Sequence, residues 1–259
     1  NAFIKGQKLP QKIFTIDYFV NKAKELQSLG ADIITIKDMA GLIPPDVSGK
    51  LIKRLKDELS VPINIHTHCT PGYGLASTLT AILNGVDIVD TSIMSFAGGP
   101  AAPAYELIQI FADKLGIDTG INKEFIFQID RELRKIRKEL AEFDSYKMFP
   151  IEFDVTNYKL PENVDKWFDQ AIEYAIAGKE EDLLDVCHQI EKYFNFPPPD
   201  ESVKKAEIPG GMYTNMLSQL KQAKLDHLLG RVLELVPMVR VKAGCPPLVT
   251  PTSQIVGVQ

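Results

Sequence analysis

The sequence predicts a parallel α/β fold that gives way to an all-helical second part, and three observations predict it. Apolar runs over residues 31–37, 62–68 and 86–92 alternate with amphipathic stretches at roughly 25–30 residues per unit, the rhythm of βα units with short loops. Polar side chains close two of these runs, with Lys37 ending the first and His66 and His68 the second. After about Asn122 the strand-like runs stop and only helical periodicity remains.

The elements follow in order. A helix over residues 17–29 presents Phe19, Val20, Ala23 and Leu26 on one face, and Gly30 ends it in the expected C′ position. The first strand follows, then a loop over residues 41–45. Pro45 or Asp46 opens a second helix running to about Leu59. After the second strand, Pro71, Gly72 and Gly74 mark a loop into a third helix that ends near Asn84-Gly85. Beyond the third strand a Gly/Pro-rich loop over residues 95–103 precedes a helix over 104–114. Residues 123–143 read as one long helix whose Arg131, Arg134, Lys135, Arg137 and Lys138, set against Glu132, Glu139 and Glu142, make a solvated face. Residues 149–161 are irregular, helices are expected over 163–177 and 180–193, and Pro197-Pro198-Pro199 is a stiff linker. Ile208-Pro209-Gly210-Gly211-Met212-Tyr213-Thr214-Asn215 opens another helix, and a final one ends before Val236-Pro237.

Strand parity turns the α/β reading into a TIM barrel. Alternate residues of a strand share a face. If Lys37 points inward, so does Thr35, while Ile34 and Ile36 face the helices; His66 and His68 take Asn64 with them and leave Ile63 and Ile65 outside. Polar residues at strand C-terminal ends are where such a barrel keeps its active site. Three strands do not close a barrel of eight. The expectation is therefore the C-terminal portion of a barrel over residues 1–121 and a helical region over 122–259, with the remaining strands in a preceding segment or another polypeptide.

Composition narrows the function classes. The 259 residues are 45% apolar and 24% charged with a formal net charge of −5, enough for a core and no electrostatic footprint for nucleic acid. No apolar window of about 18 residues is present, so no membrane span is expected. Cys69, Cys187 and Cys245 are odd in number and widely spaced, which reads as reduced thiols in a cytosolic-type compartment.

The chemistry-bearing residues are few. His66 and His68, two of four histidines, point to one side of a strand and converge as ligands for Zn, Mn, Co or Fe do. The bland alternative is a hydrogen-bonded pair at a barrel mouth. Lys37 on the neighbouring strand is about 4.8 Å away across the sheet. Beside a dication its amine is either neutral or carbamylated to an anionic oxygen ligand; otherwise it is a surface partner of Asp38. The Pro-Gly-Gly turn lets backbone approach a ligand, and Thr214 sits in the first turn after it, as an ordinary cap or as a proton-handling hydroxyl. By parity Cys69 points away from the histidines. His188 and His227 read as surface or packing residues, Trp167 as core, and Gly98-Gly99-Pro100 as a turn or a substrate loop.

Several stretches together carry a resemblance: Ile36-Lys37-Asp38-Met39-Ala40-Gly41-Leu42, His66-Thr67-His68, Gly85-Val86-Asp87-Ile88-Val89-Asp90-Thr91, Pro209 to Asn215, and Pro246 to Gln254. The chain resembles the carboxyltransferase component of biotin-dependent enzymes, namely pyruvate carboxylase, the oxaloacetate decarboxylase alpha subunit and the transcarboxylase 5S subunit. The resemblance implies a TIM barrel followed by a helical funnel. It implies Lys37 (carbamylated), His66 and His68 as ligands of a divalent metal (Zn, Mn or Co), with an aspartate from a first barrel strand that this sequence lacks. A substrate-gripping arginine and glutamine of that strand are lacking too. Thr214 then shuttles a proton between biotin and the methyl carbon of pyruvate, and Gly210 and Gly211 lie against the biotin. The reaction implied moves a carboxyl group between carboxybiotin and a 2-oxo acid, pyruvate or oxaloacetate, through an enolate favoured by the metal. The Ala-Met-Lys-Met biotin attachment motif is not in the sequence, so biotin arrives on another domain or subunit.

The other implied partners are pyruvate or oxaloacetate and the further subunits of a homo-oligomer or multi-subunit complex. The implied location is cytoplasmic, or the mitochondrial matrix in a eukaryote. These residues alone are expected to be inactive. The chain departs from the family pattern at Cys69, at Pro100-Ala101-Ala102-Pro103 and in a longer stretch over residues 148–199, which bears on the acceptor acid. Two other readings compete: a metal-dependent aldol-type lyase or synthase of the hydroxymethylglutaryl-CoA lyase kind, and a non-catalytic scaffold subunit.

Overall fold

The computed structural model describes residues 13–144, 146–200, 203–204, 208, 210–248 and 252–258. Its first part is a parallel sheet of three strands in the order β1 (Ile34–Asp38), β2 (Ile63–Thr67) and β3 (Ile88–Val89). Helix α1 (Ile16–Ser28) precedes β1, α2 (Pro45–Glu58) precedes β2 and α3 (Gly74–Leu83) precedes β3. Local chemistry sets the helix ends. Thr15 Oγ1 accepts from Tyr18 N at 3.1 Å to start α1, and Gly30 leaves it at φ 97°, a conformation natural to glycine. Pro45 opens α2 at a position where its missing N–H costs nothing.

The alternation along the strands is the predicted one. Ile34, Ile63 and Ile65 are buried with Val20, Ala23, Leu51, Ile52 and Leu55 in a core between sheet and helices. Each fully buried branched side chain there contributes about 1.5–3 kcal/mol. Thr35, Lys37, Asn64 and His66 lie on the other face, which among the described residues is open. Asp38 turns to the helix side, where its carboxylate accepts from Leu42 N, Ile43 N and Thr67 Oγ1. The alternative surface pair of Lys37 with Asp38 does not form, and the loop after β1 is tied down instead.

The third strand is shorter than expected, two residues in place of 86–92. Among the described residues it has a ladder on one side only, pairing Ile88 with Asn64 and Val89 with Ile65. Beyond Asp90 the chain leaves the sheet for a single 3₁₀ turn over Met94–Phe96, and an isolated bridge outside the sheet pairs Ser92 with Ala104.

Helix α4 (Tyr105–Leu115) and the hairpin of α6 (Glu162–Ala177) and α7 (Glu180–Tyr193) enclose α3 from its outer side. That is why α3 is buried around nearly its whole circumference from Gly74 to Ala81. Leu79, Phe111, Phe168, Ile190 and Phe194 belong to one core, with the Phe111 and Phe168 rings 4.9 Å apart, so apolar packing runs unbroken across residue 121. A separate small core under α8 (Gly210–Gln222), α9 (Leu229–Lys242) and α10 (Thr252–Val258) holds Met212, Met216, Val236 and Val256.

Two helical expectations are corrected. The helix expected to stop before Val236-Pro237 continues through Pro237 to Lys242 as α9. Proline removes one backbone donor there, but Val236 and Arg240 are buried on either side of it, and packing keeps the helix going. Helix α5 (Lys123–Glu139), continued by a 3₁₀ turn over Leu140–Phe143, is not simply a solvated charged face. Lys135 does pair with Glu132 at the surface. Arg134, however, is buried against Asp130, with side chains 8% and 1% exposed and Nε–Oδ2 at 2.7 Å, and it also donates to the carbonyls of Pro150 and Ile151. Apolar Ile129, Ile136, Leu140 and Phe143 are exposed alongside the charged residues.

Candidate active site

The site forms where β1 and β2 end together. The register sets Lys37 directly opposite His66, so both long side chains leave the sheet on the open face. His66 and His68, separated by one residue that faces the core, bring their Nε2 atoms within 3.1 Å of each other. Each ring is held from behind. His66 Nδ1 lies 2.9 Å from Asp90 Oδ2, and His68 Nδ1 lies 2.6 Å from the carbonyl oxygen of Pro100.

These contacts fix the tautomers. A backbone carbonyl only accepts, and so does an ionised carboxylate. Both Nδ1 atoms therefore carry the hydrogen and both Nε2 atoms present lone pairs. With both rings neutral, two lone pairs 3.1 Å apart repel, and the contact is held either by a proton shared as Nε2–H···Nε2 or by a metal cation. A cation bonded to both at about 2.0–2.1 Å would subtend roughly 95–102°. That angle lies between octahedral and tetrahedral values, so the donor set fits a divalent transition metal. Among the described residues no third His, Cys, Asp or Glu joins the pair. Among the described residues Lys37 is the remaining candidate, and its side chain makes no hydrogen bond or ion pair with them.

The surroundings of Cys69 agree with its parity. It is buried on the far side of His68. Its thiol is pushed well above the usual range by burial first and then by Glu191 beside it. Burial likewise lifts the Glu191 carboxyl up to about 8. Cys69 is therefore a protonated packing residue that takes no part at the histidines. His188 is a packing residue as well, its Nε2 2.8 Å from the carbonyl oxygen of Gly72. Trp167 lines the central core and His227 is exposed.

The Gly98-Gly99-Pro100 turn is more than a connection, because it delivers the carbonyl that orients His68. Cys69 N donates to Ala101 O and Thr70 Oγ1 to Gly99 O, which ties the turn to the end of β2. Gly98 has φ 75°, and a Cβ on it would come within 2.4 Å of the Phe196 ring. Gly98→Ala is expected to lower stability by at least about 1 kcal/mol. The loss should exceed that of Gly85→Ala, where φ is also positive but nothing lies within 4 Å. Equal losses in thermal unfolding would mean that Phe196 does not clamp the turn. A cavity of about 370 Å³ opens beside Pro100, walled by Phe96, Arg137, Phe143, Tyr146 and Met148.

Asp90 and the Pro100 carbonyl were not singled out from the sequence. A signal for Asp90 was present: it is a polar residue near the end of the third apolar run, two residues after Ile88. Thr214, Gly210 and Gly211 fall in the first turns of α8, and their side-chain environment lies outside the described residues.

The fold and the matched families now converge. A family model described as HMGL-like matches residues 12–132, the stretch that carries the sheet, the two histidines and Lys37. A second, described as a conserved carboxylase domain, matches residues 203–259, the stretch with Thr214. The chain is 35% identical over 247 residues, 95% of its length, to a pyruvate carboxylase subunit of Methanocaldococcus jannaschii, covering 35% of that protein. It is 31% identical over 249 residues, again 95% of its length, to the methylmalonyl-CoA carboxyltransferase 5S subunit of Propionibacterium freudenreichii, covering 39% of it. The solved carboxyl transferase domain of Rhizobium etli pyruvate carboxylase superposes with a TM-score of 0.60 at 25% identity, over 99% of this chain and 35% of that one. The likeness to pyruvate carboxylase and methylmalonyl-CoA carboxyltransferase subunits extends over nearly the whole chain. The chain spans about a third of the length of these relatives.

Proposed function

We propose that this chain is the metal-site and proton-shuttle portion of a biotin-dependent carboxyltransferase that moves a carboxyl group between a biotin carrier and a 2-oxo acid, pyruvate or oxaloacetate. The observation that carries the proposal is the convergence of His66 and His68 Nε2 at 3.1 Å, with both Nδ1 atoms engaged and Lys37 opposite in register. His66, His68 and a carbamylated Lys37 would hold a divalent metal such as Zn, Mn or Co. When bound, that cation supplies Lewis-acid polarisation of the 2-oxo group. The open face of β1–β3 is part of a (β/α)8 barrel whose other strands complete the ligand set, and residues 122–259 form the helical region above its mouth. The cavity beside Pro100 lies near that junction, where biotin on another domain or subunit enters. Gly210 and Gly211 let backbone come close to it. Thr214 moves the proton between biotin and the substrate methyl carbon.

The aldol-type alternative shares the HMGL-like stretch but leaves the carboxylase match at 203–259 without a role. The two readings separate at Thr214. In the full-length protein, Thr214→Ala should keep its metal and lose about 10²–10⁴-fold in carboxyl exchange between pyruvate and the biotin carrier, the range expected of a lost proton-transfer group. Unchanged exchange would sink the mechanism.

A further inference from the structure

We propose that Asp90 is a positioning residue for the metal site: its carboxylate holds His66 in the Nδ1–H form and so turns the Nε2 lone pair to the cation. The inference rests on the reading of His66 and His68 as ligands and goes beyond it, because Asp90 is on a different strand and touches no ligand position itself. A neutral histidine side chain in water prefers its proton on Nε2, the wrong form for binding through that atom. Something must invert the preference at each histidine. At His68 the neutral Pro100 carbonyl does so, 2.6 Å from Nδ1. At His66 the acceptor is the carboxylate of Asp90, 2.9 Å away.

The carboxylate is placed from three sides. Asp90 N donates to Ile65 O at 3.0 Å, carrying the β2–β3 ladder one residue past the end of β3 and fixing the Asp90 backbone. Alternation with Ile88 aims the side chain at the open face. Asn64 Nδ2 donates to Asp90 Oδ1 at 3.3 Å, which leaves Oδ2 for the ring. An anionic acceptor behind an imidazole raises its donor strength toward a cation, which a carbonyl does less well. Asp90 thus sets both the orientation and the basicity of one ligand, and His66 should depend on its partner more than His68 does.

The test uses the full-length protein, with Zn²⁺ affinity read by competition with a chromophoric chelator and the ligand field read from the visible spectrum of the Co²⁺ form. Asp90→Ala should weaken Zn²⁺ about 10–100-fold and change the Co²⁺ spectrum. Asp90→Asn, which keeps a side-chain acceptor, should fall between Asp90→Ala and the parent on both readouts and guards against a variant that fails to fold. His66→Ala separates two failures. If His66→Ala leaves Zn²⁺ affinity at the parental value, the ligand reading itself is wrong. If His66→Ala abolishes binding while both Asp90 variants keep parental affinity and spectrum, the ligand reading stands and the role of Asp90 is overturned.

Discussion

His68→Ala in the full-length protein is expected to strip the site of its cation and to lower carboxyl transfer by more than about 100-fold, since losing a ligand costs more than losing the partner of one. The structure gives two reasons for choosing this residue. Its Nε2 is half of the convergent pair, so the substitution leaves a single imidazole donor from β2. Its ring is only partly buried on the open face, while the neighbouring Thr67 and Cys69 carry the packing. Folding should therefore change by no more than about 1 kcal/mol, and the loss of metal is read without a loss of structure. Metal content by elemental analysis and thermal unfolding, measured on the same preparation, check both halves. A His68→Ala protein with full metal and full turnover would leave the Nε2 pair without a function.

Much of this site was legible before the structure because it follows from periodicity. Alternation along β1 and β2 put Lys37, Asn64 and His66 on one face and Ile34, Ile63 and Ile65 on the other, and the sheet has that arrangement. Gly30 and Pro45 marked helix ends for local steric reasons that no tertiary contact overrides. What was not legible depends on long-range contact. The Pro100 carbonyl belongs to the main chain and leaves no trace in residue type. Arg134 has the same local pattern as its exposed neighbours Arg131 and Lys138, and Asp130 together with the distant carbonyls of Pro150 and Ile151 makes it a buried residue. Pro237 signals a helix end locally, yet the core around Val236 carries the helix past it. β3 ends at Val89 because the chain turns away toward the 3₁₀ turn over Met94–Phe96, a path that the apolar pattern of Val86 to Ser92 does not mark.

The buried Asp130–Arg134 pair should produce the largest stability change in the chain. Asp130→Ala removes the only carboxylate that hydrogen-bonds the Arg134 guanidinium among the described residues and leaves that cation buried, at a cost of about 3–5 kcal/mol. It also orphans Ser95 N, which donates to Asp130 Oδ1 at 2.9 Å. Replacing both partners by apolar residues, as in Asp130→Leu with Arg134→Met, should cost less than Asp130→Ala alone, because no uncompensated charge remains. Denaturant unfolding of the single and double variants decides this, and a double variant at least as unstable as Asp130→Ala would show that the pair contributes more than it costs to bury. The consequence reaches the site. Ser95 N on Asp130 and Met94 N on Glu106, a carboxyl that burial lifts to about 7, are the two anchors of the 3₁₀ turn leading to Gly98 and Pro100. Freeing one of them loosens the turn whose Pro100 carbonyl holds the His68 ring. Asp130→Ala should therefore weaken metal binding as well as folding.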